Sequence, residues 1–192
     1  MRYEKGHKQA TRQRIIETAA ARFRRDGIEA VGVADLMAEA GLTHGGFYSH
    51  FKSKEDLIQA AAQEAATQSR ARFFQRTSEG GLEAWIRGYL RTEHRDHPER
   101  GCPVPTLAAE LARHPKSTRT GFAEILERFP EAIDPFLPAL PPAAKRKMAF
   151  GIFGTLIGSM QMARAVTDPA MSDEILEAGI QSALRLAQAP TS

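Results

Sequence analysis

The stretch Gly41-Leu42-Thr43-His44-Gly45-Gly46-Phe47-Tyr48-Ser49-His50-Phe51-Lys52-Ser53-Lys54-Glu55-Asp56-Leu57 contains a turn, a short helix and the start of a longer helix. Gly41 can adopt the left-handed backbone of a tight turn, and Thr43 is a suitable N-cap for a helix that begins at His44. Ser53 and Asp56 are spaced as a capping pair, with Asp in place of the usual Glu or Gln. This order predicts a helix-turn-helix, in which the second helix lies in the major groove of DNA.

The sequence around this stretch predicts an all-α chain. Apolar residues recur on one helical face after Thr11, at Ile15, Ile16, Ala19, Ala20 and Phe23, and Asp26-Gly27 ends that helix. Further helices are predicted at 33–40, 44–50, from 53 towards 74, and at 82–95, 106–113, 117–128, 143–166 and 172–187, with a turn segment from Pro130 to Pro142. We therefore expect an N-terminal three-helix unit, a connecting fourth helix and a larger helical body.

Composition restricts the class of protein. The 192 residues are 42% hydrophobic and 26% charged, which is ordinary for a soluble chain of one large or two small domains. The net charge is only +3, but residues 1–25 carry eight Lys or Arg against two Glu, a net +6 that leaves −3 for the rest. Such an asymmetry is typical of a phosphate-facing module, although a solvated basic helix face gives the same pattern.

Two features of the sequence indicate where in the cell the protein is located. Cys102 is the single cysteine, which excludes an intrachain disulfide and favours a reducing cytoplasm. The most apolar run, residues 148–163, is shorter than the roughly 20 residues of a membrane span, so we expect a buried helix and no membrane association.

The short helix from His44 carries the candidate DNA contacts. Thr43 offers a hydroxyl and a helix N-terminus to a phosphate, and His44 stands at the first turn, where side chains reach base edges. Tyr48 and His50 can donate to phosphate oxygens, and Lys54 adds a charge at the next helix. Tyr48 as an ordinary surface aromatic, and His50 as a residue packed beside Phe51, remain alternatives.

An ordered set of residues carries a family resemblance: 11–23, Gly27, 33–37, 40–43, 46–48, His50-Phe51 and 53–57. In these positions the chain resembles the DNA-binding domain of the TetR family of transcriptional regulators over about residues 8–68, with the helix-turn-helix at about 32–51. The resemblance implies a homodimer that binds a palindromic operator and a C-terminal domain, at about 78–189, that binds a small effector and releases the DNA. Repression is the family-wide expectation.

The resemblance also assigns roles to single residues. Thr43, Tyr48, His50 and Lys54 correspond to positions that contact the DNA backbone, and His44 and Gly45 to positions that face bases. Val33 begins the first helix of the motif and is counted among the DNA contacts. Many members have Thr or Ser at the preceding cap, where this chain has Gly32.

The last two long helices predict a dimer interface. Three glycines of the 143–166 helix recur at spacings of three and four, which permits close approach of a second helix. Two such helices from each chain would form an intermolecular four-helix bundle, although an intrachain pair is the alternative. The candidate interface residues are Phe150, Gly151, Phe153, Gly154, Ile157, Gly158, Ile180 and Leu184.

The middle helices predict a pocket for an effector. The candidate apolar lining is Trp85, Tyr89, Phe122, Phe129, Met160 and Met162, with Glu110, His114 and Arg164 as polar anchors. Aromatic and methionine residues at helical spacing also occur as plain core. Cys102 precedes a predicted helix and follows Arg100, so a thiol-based electrophile or redox sensor is an alternative, with a small buried turn residue as the simpler interpretation.

Other classes of function receive less support. Catalysis and metal binding need clustered His, Cys or carboxylates, and the six histidines are scattered. His94-Arg95-Asp96-His97 is the one dense group, with a spacing that permits metal binding. We predict a regulator that is not an enzyme and uses no cofactor or metal; a helical adaptor without DNA binding is the remaining alternative.

Overall fold

The computed structural model describes residues 2–77 and 80–188, and Ser78 and Glu79 of the predicted break between domains lie outside them. Within these ranges every regular element is helical. The α-helices are α1 Arg2–Asp26, α2 Val33–Glu39, α3 Lys54–Thr77, α4 Gly81–Tyr89, α5 Thr92–Asp96, α6 Val104–Leu111, α7 Lys116–Ile133, α8 Pro142–Ala165 and α9 Pro169–Gln188. Short 3₁₀-helices occupy His44–Ser49, Pro98–Arg100 and Asp134–Phe136. The all-α fold predicted from the sequence is confirmed.

Three predicted elements differ from the observed ones. The predicted α-helix at 44–50 is the 3₁₀-helix His44–Ser49, which two adjacent glycines favour because they propagate an α-helix poorly. The predicted helix 82–95 is divided into α4 and α5 at Leu90, which lies outside the helical region at φ −90° and ψ 48°. The predicted turn at Pro130 is helical, since α7 continues through this proline to Ile133.

Two compact units share the chain. The first contains the residues up to Ser69 together with 98–122, and the second contains 70–97 together with the residues from 123 onward. The sequence assigns 98–122 to the C-terminal domain, whereas the structure groups this segment with the N-terminal helices. Leu107 and Leu111 of α6 explain the difference, because both are buried in the same hydrophobic cluster as α1 to α3.

The core of the first unit forms around α1. All five apolar residues of the predicted α1 face are buried, as the helical period requires. Leu36 and Met37 of α2, Phe47 and Phe51 beside the first 3₁₀-helix, and Leu57 and Ile58 of α3 complete the cluster. Arg24 is also buried here, and its guanidinium donates to the carbonyl of Gly101 at 3.0 Å and to Gln68 at 2.8 Å.

A carboxylate from α6 closes the turn after α1. Gly27 adopts a φ of +86°, and Glu110 accepts hydrogen bonds from the backbone N–H groups of Ile28 at 2.8 Å and Glu29 at 3.0 Å. These two donors would otherwise lack partners at a bend of the chain. Glu110 therefore holds the loop that leads into α2.

The second unit is organised by α8 and α9 and by an aromatic cluster. At Gly179 of α9 an added Cβ would collide with the Ser159 side chain of α8, so this glycine permits close approach of the two helices. The rings of Trp85 and Tyr89 of α4 stack with centroids 5.9 Å apart. The rings of Phe153 of α8 and Trp85 pack edge to face, with centroids 5.2 Å apart. In the described part of the chain, no helix is both long enough and apolar enough to cross a membrane.

The Gly27 turn generates a stability prediction. Gly27→Ala places a Cβ 2.6 Å from Glu110 Oε1 and imposes a left-handed backbone on a residue with a side chain. We expect a loss of about 2 kcal/mol in the free energy of unfolding. Urea denaturation monitored by circular dichroism measures this change.

The matched control is Gly121→Ala, which lies within α7 and meets no atom within 4 Å. This change should stabilise the protein by roughly 0.5–1 kcal/mol, because alanine is the better helix former. Equal stability of the two variants would contradict the role given to the Gly27 turn.

Candidate nucleic-acid interface

The turn between α2 and the 3₁₀-helix fixes the angle at which the chain leaves α2. Gly41 has a φ of +70°, the left-handed conformation that its sequence position predicts. The Leu42 N–H donates to the Met37 carbonyl at 2.8 Å, and the Gly41 N–H donates to Ala38 at 2.9 Å. These bonds satisfy the free carbonyls at the end of α2 and form a helix-turn-helix.

Phe47 anchors the 3₁₀-helix to the unit beneath it. Its ring is buried and stacks on Phe51 with ring centroids 5.5 Å apart. The Phe51 N–H donates to the Phe47 carbonyl at 3.1 Å, which continues the structure past the last helical residue. With this side chain fixed, the opposite side of the helix faces outward.

Four of the predicted contact residues lie on that outward side. Thr43, His44, Gly45 and Tyr48 are exposed, and Tyr48 is 68% accessible although it is a large aromatic. The Tyr48 ring lies edge-on to the rings of Phe47 and His44, with centroid separations of 5.3 Å and 6.3 Å. These neighbours support the ring from the side, and its hydroxyl is accessible. An exposed helix surface without bulky side chains at its start can enter a groove of DNA.

Thr43 is the N-cap of the 3₁₀-helix, as predicted, but its side chain does not cap the helix. It caps the helix with extended backbone at φ −82° and ψ 149°, but its hydroxyl makes no capping hydrogen bond. A 3₁₀-helix of six residues carries little macrodipole, so the expected attraction between a helix N-terminus and a phosphate is weak. Its available group is the exposed hydroxyl.

His50 lies at the end of the helix, half-buried. Its Nδ1 atom is buried and has no hydrogen-bond partner among the described residues. Burial, followed by the charges of Lys8 and Arg12, lowers the pKa of His50 from its ordinary value. The imidazole is therefore neutral near pH 7 in the free protein.

Lys54 and Val33, both predicted to contact DNA, make contacts within the first unit. The Lys54 ammonium donates to the Ile28 carbonyl at 3.0 Å and so joins α3 to the turn that Glu110 also holds. Val33 is half-buried against the core of the first unit. Gly32 caps α2 without a side-chain hydrogen bond, so the hydroxyl that many family members carry there is missing.

The predicted capping pair of Ser53 and Asp56 forms one of its two expected hydrogen bonds at the start of α3. The Asp56 N–H donates to Ser53 Oγ at 3.2 Å, as expected. The Asp56 carboxylate accepts from the Lys52 N–H at 3.0 Å and not from Ser53 itself. This bond fixes the chain between His50 and α3.

The predicted pocket residues do not form one group. Trp85, Tyr89 and Phe129 belong to the aromatic cluster of the second unit, where Phe129 lies 4.0 Å from Phe153, and Met160 is fully buried there. Phe122 packs against the core of the first unit. Met162 is 59% accessible, so the structure does not bury it with the aromatic cluster and its assignment to a pocket stays a prediction.

The predicted polar anchors of that pocket have other partners. Glu110 caps the turn after α1, and His114 lies 2.9 Å from Glu55 of α3, both within the first unit. Arg164 donates to the carbonyls of His94 at 2.6 Å and Arg95 at 3.1 Å within the second unit.

The predicted dimer residues divide into outward and inward sets. Phe153 is 2% accessible and Ile180 is 5% accessible, so both belong to the core of the second unit and their assignment to an interface is wrong. The others are exposed or half-buried: Phe150, Gly151, Gly154, Ile157, Gly158 and Leu184. Met162 lies four residues after Gly158 and continues the same helical stripe.

Two other predicted groups are placed by the structure. Cys102 is 2% accessible and so does not present its thiol to solvent. His94 is buried and its Nδ1 lies 2.7 Å from the Tyr89 carbonyl, whereas His97 is exposed. Over residues 2–77 and 80–188, no group of three or more His, Cys, Asp or Glu side chains is arranged to hold a metal ion.

Comparison with known proteins agrees with this geometry. Residues 15–61 match the family described as "Bacterial regulatory proteins, tetR family". Sixty residues are 40% identical to the HTH-type transcriptional regulator TtgR of Pseudomonas putida, covering 31% of this chain and 29% of that protein. The chain spans less than half the length of each curated relative that it matches.

Solved structures share the fold over nearly the whole chain. A TetR-family regulator from Cytophaga hutchinsonii is 21% identical with a TM-score of 0.75, covering 96% of this chain and 98% of that one. FadR from Bacillus subtilis, solved in complex with stearoyl-CoA, is 20% identical with a TM-score of 0.64, covering 88% and 98%. At these identities the likeness shows a common fold.

The environment of His50 predicts how stability depends on pH. Because its pKa is lower in the folded protein, its contribution to stability is present above the unfolded value of about 6.5 and is lost as the pH falls below it. His50→Gln should therefore lose less unfolding free energy than the wild type between pH 7.5 and pH 5.5, as measured by urea denaturation. His44→Gln, which changes an exposed histidine, is the control. The same acid-induced loss in wild type and His50→Gln would contradict the assignment.

Proposed function

We propose that the protein is a cytoplasmic transcriptional regulator, and not an enzyme, that binds double-stranded operator DNA as a homodimer. Residues 15–61 match the TetR family of bacterial regulatory proteins. The observation that carries the proposal is the exposed face of the 3₁₀-helix in a helix-turn-helix. Thr43, His44, Gly45 and Tyr48 lie on this face, and the buried Phe47 fixes it to the core.

Charge supports DNA as the partner of this face. The first 25 residues carry a net +6, whereas the rest of the chain is net negative. Some of these cations are exposed on α1. Phosphate contacts supply most of the affinity of such domains, and His44 and Gly45 are left to face bases.

A homodimer is supported by the outward stripe of α8, which we define as Phe150, Gly151, Gly154, Gly158 and Met162. A Cβ added at Gly154 or Gly158 would meet no atom within 4 Å inside the chain, so internal packing does not require these glycines. Each glycine costs about 1 kcal/mol relative to alanine within a helix. Close approach of a second helix explains why they are tolerated, and pairing of two chains supplies two recognition helices for two half-sites.

The second unit is proposed to bind a small effector that releases the DNA, so that the protein acts as a repressor. Trp85, Tyr89 and Phe129 form an aromatic cluster within this unit, and aromatic side chains of this kind line many ligand sites. Burial of Cys102 favours this form of regulation over a thiol sensor. FadR, which has the same fold, was solved with stearoyl-CoA.

Selection of duplexes from a random library, followed by a salt titration of the enriched duplex, tests DNA binding. We expect enrichment of a palindrome and a log affinity that falls linearly with log salt concentration. Failure to enrich any duplex, or an affinity independent of salt, would contradict the proposed function.

The first prediction for this interface uses Gly45, where an added side chain finds open space within the protein. Gly45→Leu should leave thermal stability unchanged and lower the affinity for the selected duplex at least about tenfold, because the side chain occupies the space needed by the groove. Gly121→Leu introduces the same side chain at another open glycine and should bind as the wild type does. Wild-type affinity of Gly45→Leu would exclude this face from the DNA interface.

The second prediction concerns the outward stripe of α8. Gly154→Leu should preserve the fold but convert the dimer to monomer, because the added side chain separates the paired helices. Analytical ultracentrifugation measures the change, and Gly121→Leu is again the control. A Gly154→Leu variant that remains dimeric would place the interface elsewhere.

A further inference from the structure

Two cations of α1 lie beside the end of the recognition helix, which we define as the 3₁₀-helix His44–Ser49. Lys8 and Arg12 are four residues apart, so both lie on one face of α1, and both are exposed. Both are close enough to His50 to lower its pKa. None of the predicted DNA contacts from the sequence lies on α1.

Arg12 is held in place by an aromatic ring. Its guanidinium carbon lies 4.8 Å from the centroid of Phe51, and Phe51 is itself buried and stacked on Phe47. This cation–π contact restricts the guanidinium without using its hydrogen-bond donors. The donors of Arg12 are therefore directed by the same two rings that orient the recognition helix.

The positive charges of this corner are not neutralised by the protein. Among the residues whose side chains the structure describes, neither Lys8 nor Arg12 forms a salt bridge, whereas Arg22 and Arg25 on the same helix both pair with Asp26. No carboxylate contributes to the shift in the His50 pKa; after burial, its causes are Lys8 and Arg12. Two exposed cations and the half-buried, neutral imidazole of His50 thus converge on one place.

We propose that Lys8, Arg12 and His50 form a single binding site for a DNA backbone phosphate, and that His50 takes up a proton when that phosphate binds. The proposal rests on the proposed function, since the phosphate belongs to the operator duplex. The site adds α1 to the DNA interface and extends the interface beyond the end of the recognition helix.

The chemistry of the three groups fits one phosphate. Arg12 supplies planar N–H donors and Lys8 a mobile ammonium, which is the usual pair for a phosphate oxygen. In the free protein, burial and then the charges of Lys8 and Arg12 lower the pKa of His50 and keep it neutral. A phosphate placed among them neutralises their field and favours the imidazolium, so the pKa of His50 rises in the complex.

Salt dependence tests the site. Lys8→Ala and Arg12→Ala change exposed side chains, so both variants should fold. With the duplex of about 30 base pairs enriched by selection, each should lower the magnitude of the salt slope by about one per protomer. Arg14→Ala removes the same charge two residues along, on another side of α1, and should retain the wild-type slope.

A pH titration at constant ionic strength tests the protonation step. The wild type should bind the selected duplex more tightly as the pH falls from 8 to 6, with a change approaching tenfold per pH unit for each proton taken up. His50→Gln should abolish this dependence, whereas His97→Gln, which changes an exposed histidine outside the proposed DNA interface, should retain it.

The outcomes separate this inference from the proposed function. If no duplex binds at all, the proposed function fails and the phosphate site fails with it. If the duplex binds but Lys8→Ala and Arg12→Ala keep the wild-type salt slope, the site is refuted while DNA binding stands. If the pH dependence survives in His50→Gln or is lost in His97→Gln, the proton is taken up elsewhere and the proposal is overturned.

Discussion

The packing of Phe47 under the recognition helix is the interaction on which the proposed DNA-binding surface depends. Its ring is buried against Phe51, and Phe51 in turn supports the Arg12 guanidinium. A six-residue 3₁₀-helix has too few hydrogen bonds to hold its own shape in water, so tertiary packing must hold it. One buried ring therefore determines which side of the helix faces outward, and hence that Tyr48 and Gly45 are exposed while the cations of α1 lie beside its end.

The loop before the helix-turn-helix is fixed from a distant part of the sequence. Glu110 of α6 accepts two backbone hydrogen bonds from the turn after α1, and Lys54 donates to the carbonyl of Ile28 in the same turn. His114 extends the polar contacts of this segment to Glu55 on α3. These bonds are short-range and directional, so a small displacement of α6 within the first unit would disturb the backbone that leads into α2.

The sequence predicted what depends on local pattern. The apolar period located α1, and the Gly41 turn and Ser53–Asp56 cap located the helix-turn-helix. Contacts between residues far apart in the chain could not be predicted from the sequence. Glu110 bonds to a turn 82 residues away, and nothing in the sequence marks that pairing. The buried side of α8 could not be predicted for another reason. The helix is apolar on most faces, so its sequence does not distinguish Phe153, which is buried, from Phe150, which is exposed. Lys8 and Arg12 carried a signal, their four-residue spacing on a basic helix, but only the fold placed them beside His50.

Methylation protection on the selected duplex is the most direct test of the central claim, that the recognition helix binds in the major groove. Dimethyl sulfate modifies guanine N7, an atom exposed in the major groove. We expect protected guanines in two clusters, separated by a whole number of helical turns of about 10–10.5 base pairs, as two paired recognition helices require. Binding without protection of guanine N7 in a duplex that contains guanines in both half-sites would contradict it.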